Sequence, residues 1–202
     1  MAPHLEASDA LAAIDPVIAR LHAEHGPVRF GRAPRVDERF ETIARAIAHQ
    51  QLATAAARTI WARTRAAVGA PFTSDAVLRT PIEDLRAAGL SRSKTEALVD
   101  LALHVEEGRV ALERFGRMPD DEIVAELIAV RGIGVWTAQM FLINALHRLD
   151  VWPTGDLGVR VGYGRGWLGG ATPTARELET LGERFAPHRT IAAVDCWRLA
   201  NA

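Results

Sequence analysis

The chain has 202 residues, 49% of them hydrophobic and 24% charged, with a net charge of −1. Such a composition fits a well-cored protein of one unit or two intimate subdomains and excludes a disordered chain. The single Cys196 excludes an internal disulfide and a cysteine-ligated zinc or iron–sulfur site, and the near-neutral total confines any nucleic-acid contact to a local basic patch.

The N-terminus, "MAPHLEASDA", lacks the basic-then-apolar pattern of a signal peptide, and no apolar run approaches bilayer length. A cytoplasmic location is expected, nucleoid-associated in a bacterium, with no membrane partner.

Nearly every segment reads as helix, rich in alanine, leucine, arginine and glutamate. Ser8 and Asp9 are placed to cap a helix reaching about His22, stopped by Gly26 and Pro27. Residues 24–35 hold Gly26, Pro27, Gly31 and Pro34 and read as a loop at a subdomain crossing. Phe40, Ile43, Ile47 and Leu52 recur at helical spacing, and "ATAAARTIWARTRAAVG" forms a second helix closed by Gly69 and Pro71. In "TPIED", Thr80 stands at a cap, Pro81 at the first helical position and Glu83 in capping-box register. Ser93 opens a helix whose apolar face is Ala97, Leu98, Leu101 and Val105, ended by Gly108. "MPDDEIVAELIAV" and "VWTAQMFLINALHR" are two further helices, and helical signals resume near Leu157, in "TARELETLGERF" and from Pro187 onward.

Between those two helices lies Gly132-Ile133-Gly134. Glycine tolerates positive φ, so the pair permits a tight hairpin, with Ile133 as a plug between helices. A glycine turn that opens a helix leaves first-turn N–H groups facing outward, an anion site suited to a DNA phosphate. The plainer alternative is an αα-corner in which glycine only ends a helix. Asp156 follows a Pro-Thr-Gly loop and precedes Leu157. It reads either as an ordinary N-cap or as a carboxylate held beside a nucleotide.

Taken together, "GIGVWTA" and "PTGDLG" resemble the helix-hairpin-helix (HhH-GPD) DNA glycosylases, and within them the 3-methyladenine DNA glycosylase II group. "AHQQLATAAARTIWAR", "LRAAGLSRSKTEALVDLA", "PDDEIVAELIAVRGIGVWTAQMFL" and "ELETLGERFAPHRTIAAVDCWR" extend the resemblance in order from about Phe40 to Trp197. It implies an all-α fold of two helical subdomains with a catalytic cleft between them and no N-terminal β domain. The implied division is a single unit, 1–202, with a central bundle 36–145 carrying the hairpin 121–147, and a second subdomain of 1–35 plus 146–202.

The resemblance also implies chemistry. It makes Asp156 the catalytic carboxylate, stabilising positive charge on C1′ and the ring oxygen and helping water attack. Amides of the following helix start would favour its charged form. Trp136, Met140 and Trp197 would line a pocket for the flipped base, the tryptophan faces favouring a cationic one. Gln51, with Gln50 beside it, would fill the gap in the stack. Arg131, Gly132, Ile133, Gly134 and Thr137 would meet the DNA backbone, with Arg160 as an added phosphate contact. The carbonyls of Ile128, Val130 and Ile133 match a site for a structural Na⁺ or K⁺ when DNA is bound.

Lyase-competent relatives carry a lysine where this chain has Trp136, so the implied enzyme is monofunctional and needs no cofactor or Fe–S cluster. It departs from the group at Met140, where relatives carry an aromatic, and at Val135, where an arginine is common. The implied partner of this monomer is double-stranded DNA with alkylated bases of the 3-methyladenine or 7-methylguanine type. Two alternatives stand beside it: a non-catalytic lesion-binding module, and a glycosylase for deaminated or oxidised bases. Asp195 reads as a helix-surface residue, and "GYGRGW" as a partial dinucleotide fingerprint without its strand.

Overall fold

The computed structural model describes residues 2–202. Helix α1 spans Pro3–Ile14, α2 Pro16–His25, α3 Arg39–His49, α4 Thr54–Val68, α5 Ser74–Arg79 and α6 Ile82–Ala87. Then follow α7 Arg92–Glu106, α8 Asp120–Ile128, α9 Val135–Asn144, α10 Leu157–Trp167, α11 Ala175–Leu181 and α12 Arg189–Asn201. Among the described residues there is no β-strand, and the fold is all-α.

The chain forms two compact units. One comprises the residues up to Ala33 together with Leu142–Ala202; the other is Pro34–Phe141. In the first, Leu11, Ile18, Trp152, Tyr163, Phe185 and Ile191 are among the buried core. Its closest packing is α10 on α12. A Cβ placed on Gly162 would sit 1.8 Å from the carbonyl oxygen of Cys196, so the two backbones touch where a side chain would stand. The other two glycines of "GYGRGW" are close-packed as well, Gly164 against the backbone at Ala171 and Gly166 against the Leu199 side chain, so the three serve packing and not nucleotide binding.

The single N-terminal helix expected from periodicity is two. Asp15 breaks it, with its side chain accepting the amides of Val17 and Ile18 at 2.9 and 3.1 Å, and Pro16 opens α2. The same carboxylate accepts the Trp167 indole N–H and the Arg184 guanidinium. These distant donors let a buried carboxylate end one helix and start the next. Ser8 is not a cap; its hydroxyl accepts the Val28 amide at 3.1 Å.

In the second unit, the apolar face of α3 buries Phe40, Ile43 and Ile47, while Leu52 lies beyond the helix and is exposed. Two other expected caps move. Thr80 closes α5, donating to the Ala76 carbonyl, and Pro81 takes the cap position of α6 without a side-chain bond. Ser91, not Ser93, caps α7 by accepting the Lys94 amide at 3.3 Å.

Candidate functional site

The hairpin is built in the second unit. Helix α8 ends at Ile128, and two short bonds, Val130 N–H to the Leu127 carbonyl and Ile133 N–H to the Val130 carbonyl, each 3.1 Å, tighten the turn. Gly132 takes φ +77°, and a Cβ there would approach Ala97 Cβ at 3.1 Å. Glycine is needed at this position for both reasons. Gly134 differs, since its φ is not positive and a Cβ would meet nothing within 4 Å. The expectation that both glycines shape the turn is thus corrected: Gly134 is small for no reason inside the chain.

Ile133 is buried, as a plug would be. Ala138 N–H takes the Gly134 carbonyl at 3.1 Å, so Val135, Trp136 and Thr137 form the first turn of α9. Thr137 lies in the first turn of the helix. Its hydroxyl is 3.4 Å from the side-chain nitrogen of Gln50, which also donates to the Gly132 carbonyl at 3.0 Å. Arg131 is engaged as well. Its guanidinium pairs with Glu96 at 2.7 Å, and its amide donates to Asp100 at 2.7 Å.

Gln51 is exposed and adopts φ +54°, the left-handed region that non-glycine residues seldom enter. Trp136 is 48% exposed, and Met140 is half-buried. By contrast Trp61 and Trp152 are core, the latter donating to the Leu178 carbonyl at 2.8 Å.

The carboxylate lies in the first unit. The loop Pro153–Gly155 turns back on itself, with Asp156 N–H bonded to the Pro153 carbonyl at 2.9 Å. Asp156 then caps α10: Oδ1 accepts the Val159 amide at 2.9 Å and the Trp197 indole N–H at 3.0 Å. The Val159 amide and the Trp197 indole thus share one oxygen, which fixes the plane of the carboxyl group. Gly158 makes this possible. A Cβ there would come within 2.9 Å of Trp197 Cδ1 and 3.1 Å of Asp156 Oδ1. Sequence reasoning passed over Gly158; its only signal is a glycine two residues after the aspartate.

Beneath this pair, Cys196 is buried, and burial with the charges of Asp195 and Asp156 pushes its thiol well above the usual range. A thiolate nucleophile has no place here. Asp195, expected on the surface, is 1% exposed and pairs with Arg198 at 2.9 Å. Arg160 donates through Nε to the Pro173 carbonyl at 2.7 Å. Among the described residues, no group of three or more His, Cys, Asp or Glu side chains could hold a metal ion, and no helix is long and apolar enough to cross a membrane.

Comparison with known proteins gives this geometry a setting. The family model for "HhH-GPD superfamily base excision DNA repair protein" matches residues 44–188. The chain is similar to DNA-3-methyladenine glycosylase 1 of Schizosaccharomyces pombe, 32% identical over 95% of this chain and 85% of that protein. It resembles the crystal structure of a DNA-3-methyladenine glycosidase from Bacillus halodurans (TM-score 0.86, 29% identity, 100% of this chain and 90% of that one). It is also similar to the structure of the Schizosaccharomyces pombe 3-methyladenine DNA glycosylase in complex with abasic DNA (TM-score 0.82, 32% identity, 96% and 95%).

Proposed function

The chain belongs to the HhH-GPD superfamily of base excision DNA repair proteins, and from that premise we propose how its own residues would excise an alkylated base. It acts as a monofunctional DNA glycosylase of the 3-methyladenine type, on double-stranded DNA, as a monomer. The similar proteins are named for 3-methyladenine, and one was solved with abasic DNA, the product of such a reaction.

The observation that carries the reading is the Asp156 carboxyl group, oriented by the Val159 amide and the Trp197 indole. As the C1′–N bond breaks, its electron pair leaves with the base and positive charge grows on C1′ and the ring oxygen. A fixed carboxylate stabilises that charge, and water then adds to C1′ and releases a proton. A base alkylated at N3 or N7 already carries positive charge and leaves without an acid. One carboxylate therefore suffices.

The other residues divide the remaining work. Trp136, half-exposed, would offer its ring, and Met140 a deformable apolar wall, to a flipped cationic base. Trp197, half-buried, holds the Asp156 carboxyl group within the first unit. Gln51 fills the stack, because Gln50 is already committed to Gly132 and Thr137. Gly134, where a side chain would meet nothing within 4 Å, and the start of α9 receive a phosphate. Arg131 contributes on leaving Glu96. The Val130 carbonyl spends one lone pair on Ile133 N–H; a second, with the Ile128 and Ile133 carbonyls, would suit a monovalent cation that holds a phosphate in place.

The test is product analysis on methylated duplex DNA. Free alkylated base should appear while the strand stays intact until alkali cleaves the abasic site. Strand cleavage without alkali contradicts the monofunctional assignment.

A further inference from the structure

We propose that Lys94 is a positioning residue that sets the turn carrying Gln51, so that base-pair opening depends on a lysine remote in sequence from the hairpin. The inference rests on the glycosylase reading, which gives Gln51 its task. The Lys94 ammonium donates to two carbonyls at the end of α3, that of Ala48 at 2.8 Å and that of Gln50 at 2.7 Å. A cation at a helix C-terminus is favoured by the helix dipole, and here it also satisfies carbonyls the helix leaves open. Burial lowers the pKa of Lys94, as for an ammonium partly withdrawn from water.

Immediately after the second of these carbonyls the chain enters the left-handed region at Gln51. A non-glycine residue stays there only where its surroundings over-determine it. Lys94 of α7 fixes the backbone on one side of Gln51. The Gln50 side chain, bonded to the Gly132 carbonyl, fixes the same turn to the hairpin. His49, the residue between the two held carbonyls, has Nε2 buried without a hydrogen-bond partner, and burial with the charges of Arg45, Lys94 and Arg58 lowers its pKa. A neutral imidazole cannot replace the ammonium as a cationic clamp. A residue that must hold its place against a closing base pair needs such a mounting.

The experiment compares wild type with Lys94→Met, which keeps the apolar stem, and Lys94→Arg, which keeps donors. Single-turnover release of a methylated purine is measured opposite its pairing partner and opposite an abasic-site analogue, where no pair must open. Lys94→Met should slow the paired substrate about 10-fold, the scale of losing a charged hydrogen bond, and the unpaired one less than about 2-fold. Lys94→Arg should recover most of the paired rate. Equal slowing on both substrates, or none on either, overturns the proposal.

A second readout needs no catalysis. Amide hydrogen exchange at residues 50–53 should rise about 10-fold or more in Lys94→Met, with α10 and α12 unchanged. Unaltered exchange overturns the proposal independently. If wild type releases no base from either duplex, the glycosylase reading has failed, and exchange alone decides whether Lys94 sets the turn.

Discussion

The indole N–H of Trp197 donates to Asp156 Oδ1 at 3.0 Å, and the same oxygen caps α10 by accepting the Val159 amide at 2.9 Å. Helix start, carboxylate and ring are one unit of geometry, closed by the missing side chain of Gly158.

A methyl group at Gly158 should therefore spoil catalysis before it spoils folding. Gly158→Ala must displace Trp197 or Asp156, and a misplacement approaching 1 Å costs about 10- to 100-fold in rate. Trp197→Phe, which keeps a ring but loses the donor, should act in the same direction. Base-release kinetics beside thermal unfolding would check this. A fully active Gly158→Ala protein would show that the pair is not required.

Trp136 should behave as a functional tryptophan and Trp152 as a structural one. Exposed Trp136, changed to Ala, should alter stability by under about 1 kcal/mol yet slow release of cationic bases several-fold. Trp152→Ala should cost about 3–5 kcal/mol, since its indole is buried and bonded to the Leu178 carbonyl. Equal stability losses in denaturant titrations would reverse the assignment of Trp136.

Asp195 should leave a signature in stability against pH. Burial raises its pKa from 3.8 to about 6, against the opposing pull of Arg198, His22 and His25. Between those values the folded state holds a proton that the unfolded state has released. Stability due to Asp195 is therefore present at low pH and lost as pH rises from about 4 to about 6, by up to about 3 kcal/mol. Asp150 works in the opposite sense, because Arg189 lowers its pKa and its contribution is lost as pH falls. Subtracting the profile of Asp195→Asn, which keeps Asp150, isolates the first effect. A difference profile flat from pH 4 to 7 would contradict it.

The sequence is legible where the cause is local and opaque where it is remote. The hairpin, the Asp156 cap and the α3 core face follow from neighbours three or four residues apart. The break between α1 and α2 does not, because Asp15 is held there by Trp167 and Arg184, more than a hundred residues away in the chain. Asp195 reads as a surface residue from its own helix alone; it is buried where α12 packs on α10, which Gly162 admits to backbone contact with Cys196. Gly158 and Lys94 act through partners 39 and 46 residues away, Trp197 and Ala48, which no periodicity discloses.

The most direct test of the central claim is the single-turnover rate of 3-methyladenine release from methylated duplex DNA by wild type and Asp156→Asn. The amide keeps a cap acceptor and nearly the same shape but removes the charge. The account predicts a rate lower by at least about 10²-fold, the scale of losing one preorganised electrostatic group, with folding and DNA binding retained. An Asp156→Asn protein that releases the base at the wild-type rate would reduce Asp156 to a helix cap and contradict the account.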